Sequence, residues 1–158
     1  MKPLVGIVVG EKSDLSLISP TRDMLEEMDV PVDIIVLADF QDALEKLYLY
    51  ALTAGLRGLE VLVMGGENIP CPVHALTSVT PVPIIYVPAG EHNQAAFVSG
   101  ASNYGNTNSP LLLTPPGDAH AAGLWAVQNL ASKNRSVYNS MQKSMQDMKS
   151  IFANAIQD

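Results

Sequence analysis

Three short stretches concentrate the side chains that could do chemistry: Glu11-Lys12-Ser13-Asp14, Asp39-Phe40 and Glu67-Asn68. Each follows an apolar run, so each falls at the carboxyl end of a candidate strand, where open α/β sheets hold their ligands. Glu11, Asp14, Asp39 and Glu67 together would favour a cation over an anion. Asp39 has two readings. As a general base it would act through burial beside Phe40. As a structural residue it is the N-cap of a helix opening at Phe40, a role that keeps the carboxylate ionised. Glu67 is either a site carboxylate or a solvated loop charge. Cys71 lies between prolines; as a nucleophile it needs a basic neighbour, for which His74 is the only candidate, and otherwise it is an inert small residue. A single thiol makes neither an internal disulfide nor a metal cluster. His92 and His120 lack nearby carboxylate or thiolate clusters, so neither a metal nor another cofactor is expected.

The elements that must position these residues alternate in type. Leu4–Val9 is a near-continuous apolar run, as in a strand covered on both faces, and Val32–Leu37, Val61–Met64, Ile84–Val87 and Leu111–Leu113 repeat it. Helical spacing links them, at Leu17/Ile18, Thr21, Met24/Leu25, Met28 and again at Phe40, Ala43/Leu44, Leu47, Ala51, Ala54. This alternation predicts a three-layer α/β/α sandwich around a parallel, flavodoxin-like or Rossmann-like sheet with right-handed crossovers. Pro20 implies either a helix that starts there, with Ser19 as N-cap, or one whose early turns are kinked. Residues 88–110, rich in Gly, Pro, Asn and Ser, read as loop with at most a short helix. Pro115-Pro116-Gly117-Asp118 opens a helix through about Ala131.

The C-terminal stretch is the most regular. Tyr138, Met141, Met145, Met148, Phe152 and Ala155 recur at 3-4-3-4-3 spacing, an apolar seam on an otherwise polar helix. Such a seam docks either on a neighbouring subunit or on its own domain. The expected organisation is one domain over 1–158, with an α/β core over 1–133 and a C-terminal helix over 134–158.

Composition narrows the function classes. The 158 residues suit one core, and 47% apolar content argues against disorder. A formal charge of −7 disfavours nucleic acid and anionic membranes as partners. No export signal or apolar run of about 18 residues is evident, so a cytoplasmic location is expected.

The order of motifs resembles the PurE family, the phosphoribosylaminoimidazole carboxylases and carboxyaminoimidazole ribonucleotide mutases of purine synthesis. Val5-Gly6-Ile7-Val8-Val9-Gly10 with Ser13-Asp14 is similar to the family's first strand and G-S-x-S-D loop. Tyr50-Ala51-Leu52-Thr53-Ala54 with Arg57-Gly58-Leu59-Glu60-Val61 resembles its Y-A-x-T-A…R-G-L-x-V. Gly65-Gly66-Glu67-Asn68 is similar to the G-R-S-N of the class II branch, as is the long C-terminal helix. Ser109–Leu113 and Ala121–Ala126 look like the closing strand and helix. The resemblance implies a lyase or isomerase with a mononucleotide over the strand ends, a histidine shuttling a proton, no cofactor, and a homo-octamer or other homo-oligomer. It places ligand contacts at Glu11, Ser13, Asp14, Phe40, Gly65, Gly66, Glu67, Asn68 and Cys71, and the catalytic position at Asp39. Ser13 and Asp14 either meet ribose-like hydroxyls, as the resemblance implies, or cap the first helix.

The chemistry at those positions has changed. Glu11 replaces the first loop serine, and Leu37-Ala38-Asp39-Phe40 replaces S-A-H-R or S-A-H-K, losing serine, histidine and cation together. Cys71 stands at the histidine of the class I motif, and Tyr104-Gly105-Asn106-Thr107 replaces the M-P-(G/S)-G loop. Phosphate needs N–H groups, hydroxyls or cations. A like charge at ~4 Å repels by roughly 4 kcal/mol at an effective dielectric near 20, about a thousandfold in affinity. Strand alternation points Lys12 away from the site. Three readings follow. One is an active carboxylase or mutase using non-standard residues, such as Lys12 or Arg57 converging on Ser13. The second is a binder or enzyme for an unknown, non-phosphorylated small ligand, and the third a catalytically silent oligomer. The expectation is descent from the family with the ancestral reaction and phosphate binding lost.

Overall fold

Five strands, β1 (Val5–Val9), β2 (Val32–Val36), β3 (Val61–Gly65), β4 (Ile84–Val87) and β5 (Leu111–Leu113), form one parallel sheet in the order β2-β1-β3-β4-β5. The computed structural model describes residues 1–69, 73–95 and 111–157, with His74 and Gln157 by backbone alone. The apolar runs become strands because both faces of the sheet are covered: every residue of β1, β3 and β4 is buried. The order turns back between β1 and β3, which opens a crevice at their carboxyl ends.

Helices α1 (Leu15–Glu27), α3 (Ala119–Ala131) and α4 (Arg135–Gln157) lie on one side of the sheet, where Ile7, Ile18, Leu25, Ala122 and Leu130 share a core. Helix α2 (Ala43–Arg57) covers the other side, packing Leu47, Ala51 and Ala54 against Val8, Leu62 and Ile84. Both faces therefore carry the layers expected from the alternating pattern.

Helix α1 runs unbroken through Pro20 from Leu15, so it neither starts there nor takes Ser19 as its cap. Proline leaves the Ser16 carbonyl without its usual N–H donor. The Ser19 hydroxyl donates to that carbonyl instead, at 3.1 Å. Helices α1 and α3 are pinned by the buried Thr21 hydroxyl donating to the Ala119 carbonyl at 2.6 Å. A Cβ at Gly123 would stand 3.2 Å from the Thr21 Cα, so the close approach needs glycine there. Asp118 caps α3, accepting from the Ala121 N–H at 2.9 Å, as the Pro-Pro-Gly-Asp signal predicts. Residues 91–95 are helical; 96–110, with Tyr104 to Thr107, lie outside the described residues.

The amino ends of the strands are tied by a separate network. The Tyr50 hydroxyl donates to Asp33 Oδ2 at 2.9 Å, Arg57 pairs with the same oxygen at 3.2 Å, and the guanidinium lies 4.0 Å from the Tyr50 ring centre. A Cβ at Gly6 would come 2.6 Å from the Tyr50 oxygen, which accounts for the glycine inside β1. Arg57 thus works at the opposite end of the sheet from Ser13, not beside it.

Candidate functional site at the strand ends

Three loops meet at the carboxyl ends of β1, β2 and β3. The Ala38 N–H donates to the Gly10 carbonyl at 2.9 Å, drawing the β2 loop onto the β1 loop. The β3 loop comes closer still: a Cβ at Gly10 would lie 2.7 Å from the Asn68 carbonyl oxygen. Glycine is required where two backbones touch in this way.

The β1 loop folds into a single 3-10 turn, Lys12–Asp14, that feeds directly into α1. Asp14 Oδ2 accepts from the Glu11 N–H at 3.0 Å, and the Asp14 N–H donates to the Glu11 carbonyl at 3.1 Å. The Asp14 carboxylate therefore secures its own loop and makes no side-chain cap on α1. Nor does Ser13 cap α1: its hydroxyl reaches Glu11 Oε2 at 3.5 Å, the outer limit of a hydrogen bond. Gly66 takes φ +113°, and a Cβ there would overlap the Asp14 carboxylate. Gly65 ends β3 with the Ile18 side chain 3.1 Å from where its Cβ would stand.

Across the crevice, the Asn68 amide donates to Glu11 Oε1 at 2.7 Å. Glu67, Asn68 and Glu11 are all exposed. Water screening shrinks a like-charge repulsion at ~4 Å to about 1 kcal/mol, well below the sequence-based figure, which assumed a less solvated site.

The β2 loop departs most from expectation. Leu37–Asp39 form a 3-10 turn, and the cap of α2 is Asp42, accepting from the Glu45 N–H at 3.0 Å. Asp39 caps nothing and is half exposed, so burial beside Phe40 does not occur. It pairs instead with Lys12, Nζ to Oδ1 at 3.6 Å. Lys12 thus does swing toward the β2 loop, because a 3-10 turn does not follow strand alternation. Phe40 is 38% exposed, and its ring carries the Lys46 ammonium 4.5 Å from the centre. A cation therefore returns to the neighbourhood of Phe40 from the first turn of α2.

Two groups escaped the sequence reading. Lys46 gave no signal, since its contact depends on where α2 begins. Tyr86 was visible as the one polar residue of the run Ile84–Val87. Its hydroxyl is buried at the end of β4, 3.3 Å from the Gly66 carbonyl. Burial first, then the charges of Asp14 and Glu67, raise its pKa. Cys71 lies outside the described residues, as does the His74 side chain. No group of three or more His, Cys, Asp or Glu able to hold a metal occurs among the described residues.

The arrangement can accept hydrogen bonds at Glu11 and Asp14, donate from Asn68 and Ser13, and offer the Phe40 ring as an apolar surface. None of the chain's three histidines lies in loops 10–14, 37–42 or 66–69.

A parallel sheet in this order, flanked by helices and with polar loops over the β1/β3 reversal, defines a flavodoxin-like α/β protein with a strand-end crevice. The AIR carboxylase family model matches residues 4–150, and the chain belongs to that family. It is 29% identical over 154 residues to an N5-carboxyaminoimidazole ribonucleotide mutase of Synechocystis sp., covering 94% of this chain and 85% of the relative. It is 30% identical over 154 residues to the Pyrococcus horikoshii protein of the same name, covering 94% and 84%. The crystal structure of Treponema denticola PurE superposes with a TM-score of 0.71 over 96% of this chain and 95% of that one, at 13% identity.

Proposed function

We propose that this chain is a member of the AIR carboxylase family that has lost both the reaction for which its relatives are named and the phosphoribosyl binding it requires. The Lys12–Asp39 pair at 3.6 Å carries this reading. Lys12 is the only lysine or arginine in the three strand-end loops, and it is directed to a carboxylate at the position where the family resemblance implies a histidine. Glu11, at a position of a phosphate-contacting serine, accepts from Asn68 instead. A doubly charged ester entering the crevice would have to compete for both groups, and Asp39 offers no imidazole to move a proton at the nucleotide's ring carbon.

Calorimetric titration with aminoimidazole ribonucleotide and its carboxylated forms tests this reading. No heat of binding and no turnover are expected; micromolar affinity for any of them overturns it. A second reading, a binder or enzyme for a non-phosphorylated ligand, is favoured by Glu11, Asp14, Asp39 and Glu67 around one crevice. Titration with the corresponding nucleoside, free of phosphate, separates the two: binding supports the second reading, and inertness leaves the silent protein.

The protein acts in the cytoplasm as a homo-oligomer. No helix among the described residues is long and apolar enough to cross a membrane. The seam on α4 supports assembly: Met141 packs on the chain's own core, but Met145, Met148 and Phe152 are 52%, 58% and 65% exposed, so the C-terminal part of the seam is left uncovered.

A further inference from the structure

Five of the chain's seven methionines line one groove. It encloses about 640 Å³ between α4 and the α1/α3 pair, and Met24, Met28, Met141, Met145 and Met148 share its walls with His120. Methionine ordinarily fills irregular gaps in a core, and Met28, 7% exposed, does that here. Met145 and Met148 are more than half exposed, and gap filling gives no reason for a thioether at such positions.

The helices bring four of these donors to one level. Residues 132–134 alone join α3 to α4, so the two helices run antiparallel. At a rise of about 1.5 Å per residue, His120 stands roughly 16 Å above Ala131 at the foot of α3. Met145 and Met148 stand roughly 15 and 20 Å above Arg135 at the foot of α4, and their spacing of three puts both on one face. Met24 arrives from α1. Its Sδ lies 3.3 Å from where a Cβ on Gly123 would stand, and Gly123 is one turn along α3 from His120. The glycine therefore makes room for the sulfur as well as for the Thr21 backbone.

We infer that His120, Met24, Met145 and Met148 form a site for a soft monovalent metal ion, Cu(I). Thioether sulfur and neutral imidazole are ligands that Cu(I) accepts. Zn²⁺ takes thiolate, imidazole and carboxylate, and Mg²⁺ and Ca²⁺ take oxygen, so neither class finds its ligand set in these thioethers. The charged lining adds a small bias in the same direction: Glu27 and Asp147 against Lys149 leave it one unit negative, which favours a cation. No local motif announces the site, since its donors come from three helices. Phe152, one turn beyond Met148, stays outside this set and remains available for assembly. The site is independent of what the crevice binds.

Anaerobic titration of Cu(I) against a chromophoric Cu(I) chelator tests it, in Cys71→Ser protein so that the thiol contributes nothing. One equivalent should bind. In NMR spectra of protein labelled at the methionine methyls, the signals of Met24, Met145 and Met148 should move on Cu(I) addition, while that of Met64, buried in β3, should not. Zn²⁺ should move none of them. Removing even an outer hydrogen-bond partner of a metal ligand costs about tenfold in affinity, so Met145→Leu/Met148→Leu should weaken binding by about tenfold or more. Both positions are exposed and leucine nearly matches methionine in volume, so this variant should keep the wild-type circular dichroism and melting temperature. His120→Gln should weaken binding as well, which a merely apolar groove would not explain. Failure to compete with the chelator overturns the site. So does competition that leaves these methyl signals in place or survives either substitution unchanged.

Discussion

Asn68 and Glu11 face one another across the carboxyl ends of β3 and β1, amide to carboxylate, at 2.7 Å. They sit where the strand order reverses, which is where a flavodoxin-like sheet receives its ligand. The bond makes Glu11 part of the wall of the crevice, and a ligand that needs Asn68 must first displace a carboxylate.

Removing charge from that wall should let an anion in. In Glu11→Ser/Asp39→Ala two carboxylates disappear, and Lys12 is released from its pair with Asp39. Each exposed like charge is worth about 1 kcal/mol at ~4 Å in water, so the affinity for a nucleotide monophosphate should rise by about tenfold or more. Calorimetry on wild type and variant measures it; equal affinities would mean that these two residues do not exclude phosphate.

The two aspartates of the β2 loop should separate cleanly in stability. Asp42→Ala removes the cap of α2 and should cost about 1 kcal/mol. Asp39→Ala removes only an exposed ion pair and should cost between about 0 and 1 kcal/mol. Urea melts at neutral pH will show the difference, and the reverse order would contradict the observed capping.

Gly66→Ala should be costly for two reasons acting together. A backbone at φ +113° is strained for any L side chain, by about 1–3 kcal/mol, and the new methyl would collide with the Asp14 carboxylate. Asp14 must then release the Glu11 N–H. A loss of stability with altered amide shifts at Glu11 is the expected NMR result.

Stability should decline in alkali. Tyr50 is pushed well above the ordinary tyrosine range, first by burial, then by its hydrogen bond to Asp33 and the charge of that residue, against a smaller opposing pull from Arg57. The folded chain therefore holds this proton more tightly than the unfolded chain. The stabilisation is complete below about pH 10 and fades as pH climbs beyond it. Tyr50→Phe should be less stable by about 1 kcal/mol at pH 8, and the gap should narrow by pH 11. Part of the alkaline decline should survive in the variant, because Tyr86 is shifted the same way.

The strands were legible as unbroken apolar runs: Ile84–Val87, buried on both faces, and the edge strand Leu111–Leu113, only partly covered, both match to the residue. The cap of α3 was legible for a local reason, Pro-Pro-Gly followed by Asp118. The cap of α2 was misplaced by three residues. Asp39 precedes an apolar residue and looks like a start, yet Asp42-Ala43-Leu44-Glu45 has the stronger aspartate-to-glutamate spacing. The Lys12–Asp39 and Asn68–Glu11 contacts could not be read, because they join loops 27 and 57 residues apart that only sheet pairing brings together.

The Tyr50–Asp33–Arg57 lashing at the far end of the strands gives the molecule an anchor that never touches the crevice. Evolution can therefore rewrite one rim of the sheet while the other keeps its strands aligned. A protein built this way can alter its crevice without changing shape, and its family stays readable in the sheet whatever the crevice has come to hold.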